Sequence, residues 1–336
     1  MAPPGGPGLI RFQPAALQAR PPPLRLPQSF ISSIKILKLL FIVPPAAVLY
    51  NRGTSGPNDL RTGPHCKGVT THLMDLTVSV NHRQLLDVLL NVGLIRPVFI
   101  WGAPGIGKSA IVQEFADSLG LECVSLLGSQ LAPEDIIGVP QIRDGFSQFC
   151  PPRTIARSEP YVLFLDELNA CTTEVQKAFY SLIHERRIGE YHLPEGSIVL
   201  GAGNRAQDNA ITRPMSSALI NRMFHVELTA SPRLWLEWAA QNNIHPYIYD
   251  YISSRPDHLW SKPPKSEEPF STPRAWHMLS DAIHSFGPDI SVDSLRVLAA
   301  GCLTPQHATQ FLAYIRQVRS QYALDKILSG EQPWPD

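Results

Sequence analysis

The chain contains Gly102-Ala103-Pro104-Gly105-Ile106-Gly107-Lys108-Ser109, which fits the pattern G-x-x-x-x-G-K-[ST] at every fixed position. Its glycines let the backbone curl so that successive N–H groups point at one phosphate. Lys108 would add positive charge at the β- and γ-phosphates, and the Ser109 hydroxyl is suited to ligate Mg²⁺. A helix that begins at Gly107 would direct its positive dipole end at the same anion. These eight residues predict a nucleotide phosphate site.

The residues on either side of this loop are of the types that such a site requires. Residues 97–101 (PVFIW) have the apolar character of a buried strand. After the loop, Ile111, Phe115 and Leu119 recur at helical spacing, and Gly120 is a stop signal. The sequence therefore predicts strand, loop and helix in that order.

A second acidic element follows in residues 161–167 (YVLFLDE), an apolar run that predicts a central parallel strand. Asp166 at the strand end is a candidate Mg²⁺ ligand, and Glu167 is a candidate general base that polarises water. An acidic cap on the next helix is the alternative for this pair.

Residues 197–203 predict another buried strand, which ends at Asn204. The Asn204 amide could bond a γ-phosphate or an attacking water, although an isolated asparagine after a strand is usually a turn residue. Residues 175–183 carry one apolar helical face, and we expect hairpins at 138–146 and 186–191.

Two arginines occupy positions where a cation could neutralise charge on a transferring phosphoryl group. Arg222 follows an apolar helical stretch and precedes a strand-like one, whereas Arg274 lies at a helix start just after a proline. Taken alone, either one reads as a surface or ion-pairing arginine.

Composition restricts the class of protein. The chain has 336 residues, 44% of them apolar, and a formal net charge of zero, which leaves room for two domains and argues against a strongly basic nucleic-acid binder. The five cysteines form no C-x-x-C pair, so no zinc or redox motif is predicted, and their scatter fits a reducing cytoplasm.

The first 75 residues differ from the rest. Eight of the first 28 are proline, which predicts a disordered extension. The apolar run 36–43 is too short to cross a bilayer and is followed by two prolines. Basic residues upstream and small residues near Ala46 leave a signal peptide as an alternative.

In their order and spacing, these motifs resemble those of the AAA+ ATPases, and within them the dynein-related, MoxR-like group. The resemblance covers roughly residues 78 to 320. It includes the Walker A loop at 101–109, the Walker B strand at 163–169, sensor 1 at 201–208, the arginine-finger region at 219–225 and sensor 2 at 272–276.

The resemblance implies a role for each matching position. The eight loop residues and Asp166 would bind ATP, and Ser109 and Asp166 would hold Mg²⁺. The candidate catalytic residues are the Walker B acid, the sensor 1 asparagine, the finger and the sensor 2 arginine: Glu167, Asn204, Arg222 and Arg274. Arg213 is the rival for the finger, which would reach a neighbouring subunit in a homo-hexameric ring.

The expected fold class is α/β: a P-loop NTPase domain of three layers (αβα) with a parallel sheet, followed by a small all-α lid domain. The expected bounds are 1–75 for the extension, 76–229 for the large domain, 230–325 for the lid and 326–336 for a tail. Within the lid we expect the tryptophans to be core residues, a polar loop at 261–268 and a final helix at 304–322.

The expected function is ATP-driven remodelling of a client protein, of the chaperone type, in the cytoplasm and without a membrane segment. The resemblance implies a von Willebrand factor A domain protein as partner. The alternatives are a nucleic-acid motor such as a restriction-system NTPase, and a scaffold that binds ATP without hydrolysis. A GTPase is disfavoured because Asn-Lys-x-Asp is absent, and a P-loop kinase would not need Glu167, Arg222 and Arg274 together.

Overall fold

The computed structural model describes residues 79–208, 212–321 and 329–331. The predicted extension at 1–75 and most of the predicted tail at 326–336 lie outside these residues. The domain boundaries given above therefore stay predictions.

The described part of the chain contains ten strands and ten α-helices. The strands are β1 (Ser79–Val80), β2 (Val98–Trp101), β3 (Glu122–Leu127), β4 (Val139–Arg143), β5 (Phe146–Cys150), β6 (Tyr161–Asp166), β7 (Arg187–Ile188), β8 (Tyr191–His192), β9 (Ile198–Gly203) and β10 (Phe224–Leu228). The helices are α1 (His82–Val88), α2 (Lys108–Ser118), α3 (Glu134–Ile137), α4 (Thr173–His184), α5 (Ser217–Ile220), α6 (Pro232–Ala239), α7 (Pro246–Ser254), α8 (Pro273–Phe286), α9 (Val292–Cys302) and α10 (Pro305–Gln321).

Six strands form one parallel sheet in the order β1-β10-β2-β9-β6-β3. The central strands β2, β6 and β9 are buried along almost their whole length, as their continuous apolar sequences predict. Because all six strands run the same way, the carboxyl ends of β2, β9 and β6 lie side by side at one edge of the sheet. The loops that follow these three strands therefore meet there.

Helices cover both faces of this sheet, and the alternation of side chains along each strand divides its core in two. Val98 and Ile100 of β2 pack with the apolar face of α2, together with α1. Phe99 of the same strand packs on the other face with Phe179 and its neighbours on α4. This arrangement confirms the predicted three-layer α/β fold.

The C-terminal part of the described chain is helical and has its own core, formed by side chains from α6 to α10. Trp235 and Trp276 are buried in it, and the Trp276 indole N–H donates to the His258 carbonyl oxygen at 3.0 Å. A loop without regular structure runs from residue 260 to residue 272 and leads into α8. These helices confirm the predicted all-α part that follows the sheet.

Both predicted hairpins are present, as β4–β5 and β7–β8. Asp144 and Gly145 at the first turn have positive φ angles of 51° and 82°, as an Asp-Gly hairpin turn requires. Four elements were not predicted from the sequence: β1, β3, α1 and the π-helical turn Leu89–Gly93 that extends α1.

No helix among the described residues combines the length and the apolar character needed to cross a membrane.

We expect Gly203→Ala to lower the free energy of unfolding by roughly 1–3 kcal/mol, because overpacking a filled site forces neighbours to move. A Cβ at this position would lie 2.2 Å from Asn169 Oδ1 and 2.8 Å from Phe99 Cζ. Urea denaturation at neutral pH would measure the change.

The matched control is Gly301→Ala in α9, where an added Cβ meets nothing within 4 Å. That variant should keep its stability or gain up to about 1 kcal/mol from better helix propensity. Equal stability of the two variants would contradict the close packing at Gly203.

Candidate functional site

The glycine loop between β2 and α2 has a backbone that only glycine adopts readily at two positions. Gly105 and Gly107 have φ angles of +75° and +99°. Gly107 is the N-cap of α2, and no side chain caps that end of the helix. The first N–H groups of α2 are therefore available to an anion.

Lys108, the first residue of α2, is buried and turns back over the loop. Its ammonium group donates to the Gly102 and Ala103 carbonyl oxygens at 2.7 and 3.1 Å and to Asn204 Oδ1 at 2.8 Å. Burial lowers the pKa of Lys108 to about 8, against the opposing effect of nearby carboxylates, chiefly Asp166. The amine is thus held by neutral oxygens at the mouth of the loop.

Ser109 and Asp166 connect the two predicted halves of the site. The Ser109 hydroxyl donates to Asp166 Oδ2 at 2.8 Å, although the two residues lie on different elements. The backbone N–H of Glu167 donates to the other carboxylate oxygen, Oδ1, at 2.9 Å. A hydroxyl and a carboxylate side by side are oxygen donors of the kind that Mg²⁺ prefers.

The described residues contain no cluster of three or more histidine, cysteine or acidic side chains that could hold a metal by protein ligands alone. Mg²⁺ in nucleotide sites takes one or two protein oxygens together with phosphate oxygens and water. The pair Ser109 and Asp166 fits that requirement.

Glu167 follows β6 directly and has a left-handed backbone conformation, with φ of +52°. Non-glycine residues rarely adopt this conformation, and they often do so at functional sites. Its carboxylate accepts a hydrogen bond of 2.6 Å from the Ser129 hydroxyl. Ser129 lies just after β3, so the neighbouring strand of the sheet orients the candidate base.

Asn204 lies at the end of β9, between the loop and the acidic pair. Besides the contact with Lys108, its main-chain carbonyl accepts from Asn169 Nδ2 at 2.7 Å. Asn169 is buried and was not predicted as a site residue. The only signal in the sequence was a polar residue two positions after Glu167.

The helical part contacts the glycine loop through the start of α8. The Arg274 backbone N–H donates to the Gly105 carbonyl oxygen at 3.2 Å. An added Cβ at Gly105 would lie 2.7 Å from the Thr272 hydroxyl oxygen, so the two segments are in close contact. The Arg274 side chain is exposed, and its charge acts on Lys108 by lowering the pKa of the amine.

Arg222 is placed differently from the other candidates. Its guanidinium lies 4.4 Å from the centre of the Tyr180 ring and donates to the Ala218 carbonyl oxygen at 2.9 Å. These two contacts join Arg222 to α4 and α5. Its rival Arg213 is exposed, and the Arg213 backbone N–H donates to the Asn169 carbonyl oxygen at 2.7 Å.

A second unpredicted group flanks Asn204 on its other side. The Arg205 guanidinium stacks 4.1 Å from the centre of the Trp101 ring and donates to Glu227 Oε2 at 3.2 Å. The Trp101 indole N–H donates to His225 Nδ1 at 3.0 Å. Through these contacts Arg205, which directly follows Asn204, holds the chain after β9 against the ends of β2 and β10.

Residues 97–223 match the family model described as AAA domain (dynein-related subfamily). This span begins just before β2 and includes the glycine loop, the acidic pair, Asn204 and both candidate finger arginines. Residues 97–223 therefore resemble an AAA+ domain. The AAA+ family uses ATP together with Mg²⁺, and the residues described above fit both.

Among curated proteins, the chain is 28% identical over 169 residues to midasin of Giardia intestinalis, covering 47% of this chain and 4% of midasin. It is 25% identical over 139 residues to the Holliday junction branch migration complex subunit RuvB of Prochlorococcus marinus, covering 39% of this chain and 33% of that protein. The chain thus spans at most about a third of the length of these relatives.

Among solved structures, the Thermotoga maritima RuvB branch migration motor has a TM-score of 0.42 and 17% identity, over 76% of this chain and 77% of that one.

We expect Lys108→Ala to weaken ATP binding at least about 100-fold, because the variant loses the buried cation beside the glycine loop, where the phosphates are expected. A nucleotide titration in the presence of Mg²⁺ measures this change. Lys265→Ala, in the exposed loop before α8, is the matched control and should bind as the parent does. Unchanged affinity of Lys108→Ala would refute the assignment of the loop.

Proposed function

We propose that this chain hydrolyses ATP with Mg²⁺ and uses the cycle to remodel a client protein. One observation supports the proposal most strongly. The loop hydroxyl of Ser109 and the strand-end carboxylate of Asp166 lie within hydrogen-bond distance, so both can reach one metal ion. Phosphoryl transfer to water requires a loop that binds the phosphates and, next to it, an acidic residue that binds the metal ion.

In the proposed mechanism the glycine loop and the start of α2 bind the phosphates through backbone N–H groups. Lys108 leaves its carbonyl partners to contact the β- and γ-phosphates. When bound, Mg²⁺ at Ser109 and Asp166 supplies positive charge against the developing phosphate charge. Glu167 takes a proton from the attacking water, and the Asn204 amide orients that water or the γ-phosphate.

The contact of the helical part with the loop supports a mechanical role. Thr272 packs on Gly105, and the Arg274 backbone bonds to the same residue. A change at the phosphates would therefore act directly on the start of α8. Through the shared core of α6 to α10, the helical part would move as a unit. Arg274 from this part would neutralise phosphoryl charge, as sensor 2.

We place the chain in the MoxR-like group on the resemblance described above. The proposal includes a homo-hexameric ring, because Arg222 would act on the nucleotide of a neighbouring subunit. It places this ring in the cytoplasm. It also includes a von Willebrand factor A domain protein as the partner that presents the client. The protein captured by a hydrolysis-dead, ATP-bound variant would identify the client.

The named relatives support one further candidate, a motor on nucleic acid, because RuvB proteins are components of a Holliday junction branch migration complex. The formal net charge of zero gives no general attraction to a polyanion. ATP turnover measured with branched or linear DNA, and separately with the captured protein, decides between them. Stimulation by DNA alone would favour the motor.

We expect Glu167→Gln to lower the rate of ATP hydrolysis by about 10²–10⁴-fold, the usual contribution of a general base. The affinity for ATP should stay within a few fold, since Lys108, Ser109 and Asp166 are retained. Phosphate release at saturating ATP and a separate nucleotide titration measure both quantities. Equal, near-zero rates of parent and variant would favour the non-hydrolysing scaffold.

We expect Arg222→Ala to bind ATP but to lose hydrolysis by about 10³-fold or more, as for other arginines supplied in trans. Mixing it with Glu167→Gln should restore part of the turnover. A mixed ring pairs an intact Glu167 from one subunit with an intact Arg222 from the next.

Arg213→Ala is the control, and it should hydrolyse ATP at nearly the parental rate. If Arg213→Ala loses hydrolysis and is rescued by mixing with Glu167→Gln, while Arg222→Ala is not, then Arg213 is the finger. Absence of rescue in either mixture would count against a shared site.

A further inference from the structure

Asn169 makes contacts with two separate segments of the domain. It lies three residues beyond the end of β6 and is buried, with 4% of its surface exposed. Its side-chain amide donates to the Asn204 carbonyl oxygen at 2.7 Å, and its own carbonyl oxygen accepts from the Arg213 backbone N–H at 2.7 Å. One residue thus bonds to the end of β9 and to the segment that leads into α5.

The side chain of Asn169 packs against the backbone of β9 at Gly203. Gly203 precedes Asn204, and a Cβ there would lie 2.2 Å from Asn169 Oδ1 and 2.8 Å from its Cγ. The preceding residue adds a backbone contact, since Leu168 N–H donates to the Ala202 carbonyl oxygen at 3.0 Å. The segment after Glu167 therefore crosses the end of β9 in close contact.

We propose that Asn169 is a positioning residue that fixes Asn204 and couples it to segment 213–222. Gly203 is the last residue of β9 in the pairing with β2, and its carbonyl still accepts from Gly102 N–H at 3.2 Å; among the described residues no strand pairs with Asn204 itself. The Asn169 amide replaces that pairing and sets the direction in which Asn204 Oδ1 points toward Lys108. This inference rests on the proposed ATP hydrolysis.

The main-chain carbonyl of Asn169 also connects this residue to segment 213–222. Segment 213–222 begins with the rival arginine and ends with the proposed finger, and its first residue bonds to Asn169. A shift of Asn204 when the γ-phosphate is lost would move Asn169, and with it the anchor of this segment. Asn169 would thereby be the contact through which one nucleotide site acts on Arg222, the proposed finger.

Asn169→Asp tests the positioning role, because aspartate has the same shape but lacks the N–H donor. We expect kcat to fall about 10–100-fold, since misplacing a catalytic group by about 1 Å has effects of this size. The affinity for ATP should change less than about threefold. Asn242→Asp is the matched control, because the Asn242 amide also donates to a main-chain carbonyl, that of Trp238 at 2.8 Å. It should behave as the parent.

A double-mutant cycle separates positioning from a general structural effect. If Asn169 acts through Asn204, then Asn169→Asp should lower kcat less than about twofold in an Asn204→Ala background. Losses that multiply in the double variant would overturn the inference. So would an equal loss of ATP affinity and of kcat in the single variant. Asn169→Leu, which lacks both polar atoms and any charge, should reproduce the single-variant result.

Hydrogen exchange gives a measurement that does not depend on turnover. Loss of the side-chain amide should speed exchange at the Arg213 amide at least about 10-fold and leave α8 unchanged. Unchanged exchange at Arg213 would overturn the coupling. If the parent protein hydrolyses no ATP, the proposed function fails, and the exchange result alone decides whether Asn169 anchors these segments.

Discussion

The hydrogen bond between Ser109 and Asp166 is the contact on which the rest of the site depends. Ser109 lies beyond the loop after β2 and Asp166 is the last residue of β6, and these strands are not neighbours because β9 lies between them. Adjacent strands are about 4.8 Å apart, so the loop after β2 must cross the end of β9 to reach the acid. The sheet order thus makes the end of β9 part of the site, and Asn204 is the residue found there.

That crossing is possible because the end of β9 is small. Its last three residues are Gly201, Ala202 and Gly203, and at both glycines an added Cβ would come within 3 Å of neighbouring side chains. Gly128 leaves similar room beside the turn at Glu167, whose carbonyl oxygen would lie 3.0 Å from an added Cβ. Close backbone approach at these points brings the glycine loop, the acidic pair and Asn204 together, and it leaves Asn169 space to bond to two segments.

The helical part is connected to this site by a short segment. Ser271 and Thr272 are buried, Thr272 caps α8 and packs on Gly105, and the Ser271 hydroxyl contacts His307 Nδ1 at 2.8 Å. His307 stacks on the buried His258 with ring centres 4.1 Å apart. The segment that contacts the glycine loop is therefore anchored in the helical part, which explains how displacement at the loop would reach the helices together.

The sequence determined the elements whose signals are local. The glycine loop, the apolar strands that lead to Asp166 and Asn204, and the Asp144-Gly145 turn follow from patterns a few residues long, and the structure confirms these elements. Strand order, the left-handed backbone of Glu167 with its bond to Ser129, and the contacts of Asn169 were decided by tertiary structure. The edge strand β1 was not predicted because two residues carry no periodic signal. Strand β3 was not predicted because its apolar and polar residues alternate only weakly. A single asparagine or serine cannot be assigned to a turn or to a site from the sequence, because its hydrogen-bond partners come from segments that are distant along the chain.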